Sequence, residues 1–556
     1  MKLSGAEIVV ETLIEQNVKT IFGYPGGTVI DIYDQLQKKN DRITHVLSAH
    51  EQGAAHAADG YARATGEIGV VLATSGPGAT NLVTGIATAH LDSVPLLAIT
   101  GNVSNSLIGR DSFQEIDISG VTLPITKHNF IVHDVNELAD TLREAIRIAK
   151  SGRPGPVLVD IPKDIQQAKC EFNYKAPVTR TEGEPASEDM VHEAARMIAD
   201  ANRPYIYFGG GAVRAGAGAL ISELADKIDA VIGCSMMGLS ELPSKLDRFL
   251  GMQGMHGHYA SSKAMAKADL IIAVGVRFSD RATGDAQKFS AGARKIHIDV
   301  DAAEIGKNVK VNLGVSCDIA DFLRKLIDMV DYKRNPNWMT KIEKLREQEK
   351  EQEITDFLPE QAIKAISEIV EDDTEIVTDV GQHQMWAAQY YDFKKKRTWI
   401  SSGGLGTMGF GMGAAIGSSF GSGKRSVLVT GDGSFGMNLN ELATAVAYNV
   451  PLTVVVFNNG VLGMVRQWQT LFYNKNYSNT TLTDRKTDFV KLAEAFGCEG
   501  YKATNEAEFR EVFEKAYKTE GPSVVELIID KDDMVFPMLR PGGSYDHLIL
   551  DKEDKA

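Results

Sequence analysis

Gly431-Asp432-Gly433-Ser434 and Asn458-Asn459 are the residues of this 556-residue chain whose types and spacing best suit chemistry. Asp432 offers a carboxylate, Asn459 an amide oxygen and Val461 a main-chain carbonyl. These are hard oxygen donors. With diphosphate oxygens and water they complete the octahedron that Mg²⁺ demands. The glycines permit a tight turn and let main-chain N–H groups of Gly433 and Ser434 approach a phosphate. A lone Gly-Asp-Gly is most often an ordinary turn, so its surroundings must decide.

Those surroundings read as strand, turn, helix, strand. Residues 426–430 form a short apolar strand. Residues 440–446 are good helix formers whose N-terminus would face an anion. Residues 451–457 are β-branched and read as a buried parallel strand. Asp432 and Asn459 then fall at the carboxyl ends of two strands, where open α/β sheets bind ligands.

This spacing is the thiamine diphosphate motif. The segments GDGSFGMNLNELATAV and VFNNGVLGMVRQWQ resemble the catalytic subunit of the acetohydroxyacid synthase (acetolactate synthase) family, and the resemblance runs from Gly23-Tyr24-Pro25-Gly26-Gly27 to Val535-Phe536-Pro537. It implies a homodimer or homotetramer with shared active sites that uses thiamine diphosphate, Mg²⁺ and a structural FAD. It leaves open a regulatory small subunit. The implied reaction decarboxylates pyruvate and transfers the hydroxyethyl group to pyruvate or 2-ketobutyrate. The products would be 2-acetolactate or 2-aceto-2-hydroxybutyrate, early in branched-chain amino-acid synthesis. The alternatives are other enzymes on the same scaffold: catabolic acetolactate synthase, pyruvate oxidase or glyoxylate carboligase.

The resemblance also assigns residues. Glu51 matches the glutamate that hydrogen-bonds the aminopyrimidine ring and prompts proton removal from the cofactor. Without the family it would be a first-turn carboxylate favoured by the helix dipole. Gly27, Phe113, Gln114 and Lys163 match residues around the reacting carbons. Gln382, His383, Gly433, Ser434 and Met464 match cofactor contacts. Gly406 matches a carbonyl that accepts from the 4′-amino group, and Met408 the wedge that bends the cofactor. Trp468 and Val465 match the acceptor's alkyl pocket. Arg277 matches the partner of its carboxylate, for which a planar fork is suited. For FAD, the matching residues are Gly209, Gly210, Gly211, Met255, His256, Arg277, Asp280, Arg281 and Asp299, with Arg153 and Asp318. Ser279 departs from the pattern, replacing the usual acidic residue before Asp280.

Composition bounds the rest. A net charge of −15 argues against a nucleic-acid partner, and 43% apolar residues are ordinary for a globular protein. No apolar run reaches membrane-spanning length. Four scattered cysteines suggest reduced thiols. The chain enters a helical pattern at once, so a cytoplasmic enzyme without a leader is expected. The length suggests three α/β domains with doubly wound parallel sheets. We place them at 1–180 (pyrimidine-binding), 188–335 (central, FAD-binding-like) and 355–556 (diphosphate- and Mg²⁺-binding). Residues 176–186 read as a linker, and 335–353 as a turn leading into an exposed charged helix. Thr74, Ala87-Thr88-Ala89 and Val94-Pro95-Leu96 recur in register as Thr430, Ala443-Thr444-Ala445 and Val450-Pro451-Leu452. The first and third domains therefore read as an internal repeat.

Overall fold

A computed structural model describes residues 1–179, 183–352 and 356–554. The expected domain limits at Arg180 and Thr355, and part of the expected linker, lie outside the described residues.

The apolar runs become parallel strands buried on both faces. In strand Gly69–Ala73, Val70 and Leu72 enter one core, while Val71 and Ala73 enter another across the sheet. Successive side chains alternate sides, so a run with no polar member needs cover on both faces. Three such six-stranded sheets organise the chain. The first uses Thr20–Tyr24, Thr44–Leu47, Gly69–Ala73, Leu96–Asn102, His128–Ile131 and Pro156–Pro162. The middle one uses Pro204–Phe208, Val231–Cys234, Phe249–Met252, Leu270–Val274, Arg294–Asp299 and Leu313–Ser316. The third uses Glu375–Thr378, Trp399–Ile400, Ser426–Gly431, Leu452–Asn458, Glu499–Ala503 and Pro522–Ile528.

With strands counted in chain order within each sheet, the first and third both run 2-1-3-4-6-5, and the middle runs 3-2-1-4-5-6. The offset that aligns Thr74 with Thr430 also maps Leu96–Asn102 onto Leu452–Asn458. The repeat is therefore structural. In the outer sheets the order reverses between strands 1 and 3, and in the middle sheet between strands 1 and 4. A crevice opens at the carboxyl end of each reversal.

The two related units meet through equivalent helices, Glu51–Thr65 and Phe410–Ser422, each lying between strands 2 and 3 of its own sheet. Glycine allows the contact. A Cβ on Gly60 would lie 2.1 Å from Ala414 O, and one on Gly417 1.8 Å from Ala57 O.

Two local expectations are corrected. The helix after the Gly-Asp-Gly turn starts at Asp432 itself, as Asp432–Asn438, and passes through a 3-10 turn, Leu439–Glu441, into Leu442–Ala447. The glycines end the strand without delaying the helix, so it does not wait for residue 440. The charged helix Pro336–Lys350 is not simply exposed. Trp338, Ile342 and Leu345 are buried in the core of the middle sheet, and Trp338 Nε1 donates to Pro204 O at 3.2 Å. Among the described residues no helix is long and apolar enough to cross a membrane. All four cysteines are free.

Asp160, near the end of strand Pro156–Pro162, is 1% exposed and accepts from Thr100 Oγ1 at 2.7 Å and Asn102 Nδ2 at 2.5 Å. Burial outweighs both bonds and lifts its carboxyl to about 7. A carboxyl raised in the folded state stabilises fully below its unfolded value, near 4, and that share is lost as pH rises through about 7. We therefore expect the thermal midpoint to fall between pH 4 and pH 8 by more in the wild type than in Asp160→Asn. Parallel midpoint-against-pH curves for the two proteins would refute this.

Candidate active site

Three loops converge at the carboxyl ends of neighbouring strands of the third sheet. Gly381-Gln382-His383 lies beyond strand Glu375–Thr378, Gly431–Ser434 ends the next strand, and Asn459-Gly460-Val461 follows Leu452–Asn458. Gly431 pairs in register with Phe457, so Asp432 starts beside Asn458. Gly460 N donates to Asn458 Oδ1 at 3.1 Å, closing the asparagine loop beside the aspartate turn. Burial lifts the Asp432 carboxyl to about 6, although the main-chain N–H groups of Gly433 and Gly460 nearby favour its charged form. A nearby cation would offset that penalty. Asn459 Oδ1 accepts from Val461 N at 3.1 Å and keeps a second lone pair, while its Nδ2 reaches Gln382 Oε1 at 3.4 Å. Leu462 N donates to Thr480 O at 2.8 Å, which holds the loop's far end.

The floor of the crevice is glycine and histidine. His383 is fully buried, and burial holds its ring down to about 3, so it is neutral. Its Nε2 has no hydrogen-bond partner among the described residues. A Cβ on Gly431 would lie 2.9 Å from His383 Nδ1, and one on Gly433 2.8 Å from Leu462 Cδ2. Ser434 Oγ donates to Val380 O at 2.8 Å. Gln382 is turned inward, donating to Gln467 Oε1 at 3.1 Å and Asp533 O at 2.8 Å. Its amide thus braces the loop. Among the described residues no group of three or more His, Cys, Asp or Glu is placed to hold a metal. A cation here would rest on Asp432 with neutral oxygens, a donor set that suits Mg²⁺. An orphaned imidazole nitrogen and a glycine floor suit a diphosphate beside it.

Three family models match the chain. The C-terminal TPP binding domain of thiamine pyrophosphate enzymes matches residues 379–527, the N-terminal TPP binding domain 3–121, and the central domain 191–326. An acetolactate synthase of Mycobacterium leprae is 44% identical, over 98% of this chain and 90% of its own. The acetolactate synthase isozyme 3 large subunit of Escherichia coli is 41% identical over the whole of both chains. The large subunit of Corynebacterium glutamicum is 42% identical over 98% of this chain and 89% of its own. The chain belongs to the acetolactate synthase family.

The first domain holds the residues that the acetolactate synthase resemblance places at the reacting carbons. His50 caps helix Glu51–Thr65, accepting from Gln52 N at 3.1 Å, and so sets Glu51 in the first turn. Glu51 is 9% exposed, and its Oε2 accepts from Asn81 Nδ2 at 2.9 Å. Lys163 Nζ donates to Gly27 O at 2.8 Å. Gln114 takes a left-handed backbone, φ 60°, over Gly76, where a Cβ would lie 2.9 Å from Gln114 O. Strained backbone of this kind clusters at functional sites. Glu115 holds that loop, accepting from Ser112 N at 2.8 Å and from Gly109 N. Phe113 is 86% exposed.

A cavity of about 1070 Å³ lies where the three domains meet. Of the expected residues, Arg153, Gly210, Gly211, Met255, His256, Arg277, Asp280, Arg281, Asp299, Asp318, Gly406, Met408, Met464, Val465 and Trp468 line it. Gly209 lies behind that wall, its N–H donating to Val274 O at 3.1 Å. Glu51, Gly27, Phe113, Gln114 and Lys163 do not line it. Nor do Asp432, Asn459, Val461, Gln382, His383, Gly433 and Ser434, so within one chain the expected residues form three groups.

Inside the cavity several charges are already engaged. Arg153 pairs with Glu304 at 2.6 Å and Asp301 at 3.3 Å. Arg277 donates to Leu91 O. Asp318 caps helix Ile319–Met329 by accepting from Asp321 N at 2.8 Å. Arg281 sits over the Trp468 ring at 5.4 Å, joining the flavin-type loop to the substrate-type tryptophan. Ser279 works through its main chain, its carbonyl accepting from Ala282 N and Thr283 N at 2.9 Å. His256 Nδ1 has no hydrogen-bond partner among the described residues. Burial raises the Asp299 carboxyl.

Sequence reading passed over Arg214, a cavity cation whose guanidinium burial pushes down to about 10. Its one available signal was its place on the helix after Gly209-Gly210-Gly211. Asn81 was missed as well. Nothing in its local pattern announces a partner 30 residues away.

Proposed function

We propose that this chain is the catalytic subunit of an acetolactate synthase. The observation that carries the site assignment is the register of Gly431 with Phe457, which sets Asp432 beside Asn458-Asn459. It joins the two halves of the thiamine diphosphate motif at the carboxyl ends of adjacent strands. In this reading Asp432, Asn459 and the Val461 carbonyl hold Mg²⁺. His383, Gly433, Ser434 and Met464 receive the diphosphate, braced by Gln382. Bound thiamine diphosphate supplies the nucleophilic carbon and the electron sink for cleaving and forming bonds beside a ketone. Glu51 holds a proton at ring atom N1′, and its burial keeps water from competing. Gly406 and Met408 set the ring's attitude. Gln114, Phe113, Gly27 and Lys163 close around pyruvate. Trp468 and Val465 receive the alkyl group of the second keto acid, and Arg277 its carboxylate.

The separation of Glu51 from the Met408 side supports a homodimer in which each site takes Glu51 from one copy and Asp432 from the other. Phe113 and Met437, at 86% and 59% exposed, are apolar groups such a second copy would cover. The middle sheet has the dinucleotide-binding strand order, and Arg214, Arg277 and Arg281 converge near its Gly-rich turn, which supports FAD there. Flavin would brace this junction, because the overall reaction involves no net redox change. A cytoplasmic place fits the same reading. A regulatory small subunit belongs to it as a further partner.

A product assay tests the proposal. Equal pyruvate and 2-ketobutyrate should give mainly 2-aceto-2-hydroxybutyrate, with no acetyl phosphate, and only when Mg²⁺ and thiamine diphosphate are present. Trp468→Leu should lower the preference for 2-ketobutyrate by about tenfold, the worth of one well-packed contact. Acetyl phosphate as the main product would point to an oxidase instead.

A further inference from the structure

The loop from Ser402 to Gly409 carries Gly406 and Met408, and both of its ends are tied down. Asp92, 5% exposed, ends helix Val83–Asp92 of the first domain. Its carboxylate accepts from Gly403 N at 3.1 Å, Gly404 N at 2.7 Å and Arg63 Nη2 at 3.0 Å. Arg63 is fixed in turn by Asp59 at 2.5 Å and donates Nη1 to Ser401 O at 2.9 Å. One turn before Asp92, Thr88 Oγ1 meets Thr407 Oγ1 at 2.8 Å, and Thr407 N donates to Ser402 Oγ at 3.1 Å. At the far end Gly409 N donates to Asp379 Oδ1 at 2.8 Å, and its carbonyl accepts from Asn438 Nδ2 at 2.6 Å. Between these ties the loop is open. Leu405 is 41% exposed, and a Cβ on Gly406 would meet nothing nearer than Val380 Cγ1 at 4.0 Å.

We infer that Asp92 and Arg63 are positioning residues that hold the Gly406–Met408 loop in its cofactor-receiving shape before the cofactor arrives. The inference rests on the proposed function, which makes Gly406 and Met408 cofactor contacts. A loop ordered only on binding draws its entropy cost from binding energy, whereas a loop ordered beforehand does not. Asp92 suits this task because it is buried and one carboxylate takes two successive main-chain N–H groups. Such charge-assisted bonds are stronger than neutral ones. The contact also crosses domains, so the first domain of a chain shapes the cofactor loop of its own third domain.

The test compares wild type, Asp92→Asn and Thr88→Val, each full-length and stripped of cofactor. Thiamine diphosphate is titrated at saturating Mg²⁺ and followed by tryptophan fluorescence. Asp92→Asn should raise the dissociation constant about tenfold or more, with kcat at saturating cofactor changed by less than about threefold. The stripped variant should also be cut by chymotrypsin after Leu405 faster than the stripped wild type. Thr88→Val, which removes one hydroxyl at constant shape, should weaken binding by about threefold and keeps the test open if Asp92→Asn does not fold. A variant with lowered thermal midpoint but unchanged affinity and cleavage would overturn the inference, since it would show an interface role only. A wild type that binds no thiamine diphosphate would sink the functional reading itself. A wild type that binds, with both variants binding equally well, would sink this inference alone.

Discussion

Asp432→Ala releases thiamine diphosphate. The carboxylate is the one charged protein group at the proposed Mg²⁺ position, and the other donors, an amide and a carbonyl, are neutral. We expect affinity for thiamine diphosphate at millimolar Mg²⁺ to fall by about a hundredfold or more, with activity lost in proportion. A titration followed by fluorescence measures this. Dialysis of the wild type against a chelator should have the same effect, reversed by Mg²⁺ with thiamine diphosphate. Full activity in chelated, cofactor-stripped protein would end the central claim.

Glu51→Gln separates binding from chemistry. Glutamine keeps the volume and can still accept from Asn81 Nδ2, so the helix start and the cofactor affinity should hold. What it cannot do is exchange a proton with the aminopyrimidine ring. Exchange of the cofactor's C2 proton, followed by NMR after acid quench, should slow by about two to four orders of magnitude, and turnover with it. Unchanged exchange would remove Glu51 from the mechanism. Asn81→Ala should give a smaller loss, because it frees the carboxylate to rotate without removing it.

Much of this site could be read from sequence because its residues are close in the chain or follow strands directly. Asp432 and Asn459 come after two adjacent strands whose apolar runs are plain, so their meeting was predictable. The three-sheet architecture followed from the same runs. The helix after Asp432 was placed too late because its start was read from the good helix formers at 440–446, whereas Gly431 already serves as its cap. Trp338, Ile342 and Leu345 were overlooked inside a charged helix because three apolar side chains among so many charges give a weak stripe, and only the middle core reveals the face they occupy. The clamp on the Ser402–Gly409 loop left no trace at all. Asp92 grips main-chain N–H groups, and any residue but proline supplies one.

The shared strand order of the outer sheets has a consequence for how this protein could arise. Two units of one strand order, joined covalently, pack through matching helices within a single polypeptide. An ancestor made of identical subunits would have carried every site change on all of its copies at once. In a fused duplicate the later half would be free to gain Asp432 and Asn459 where the earlier one has Gly76 and Val103, and the earlier half to gain Glu51 where the later has Thr407. Under the proposed function, such a division of labour would let ion binding and proton handling be altered independently.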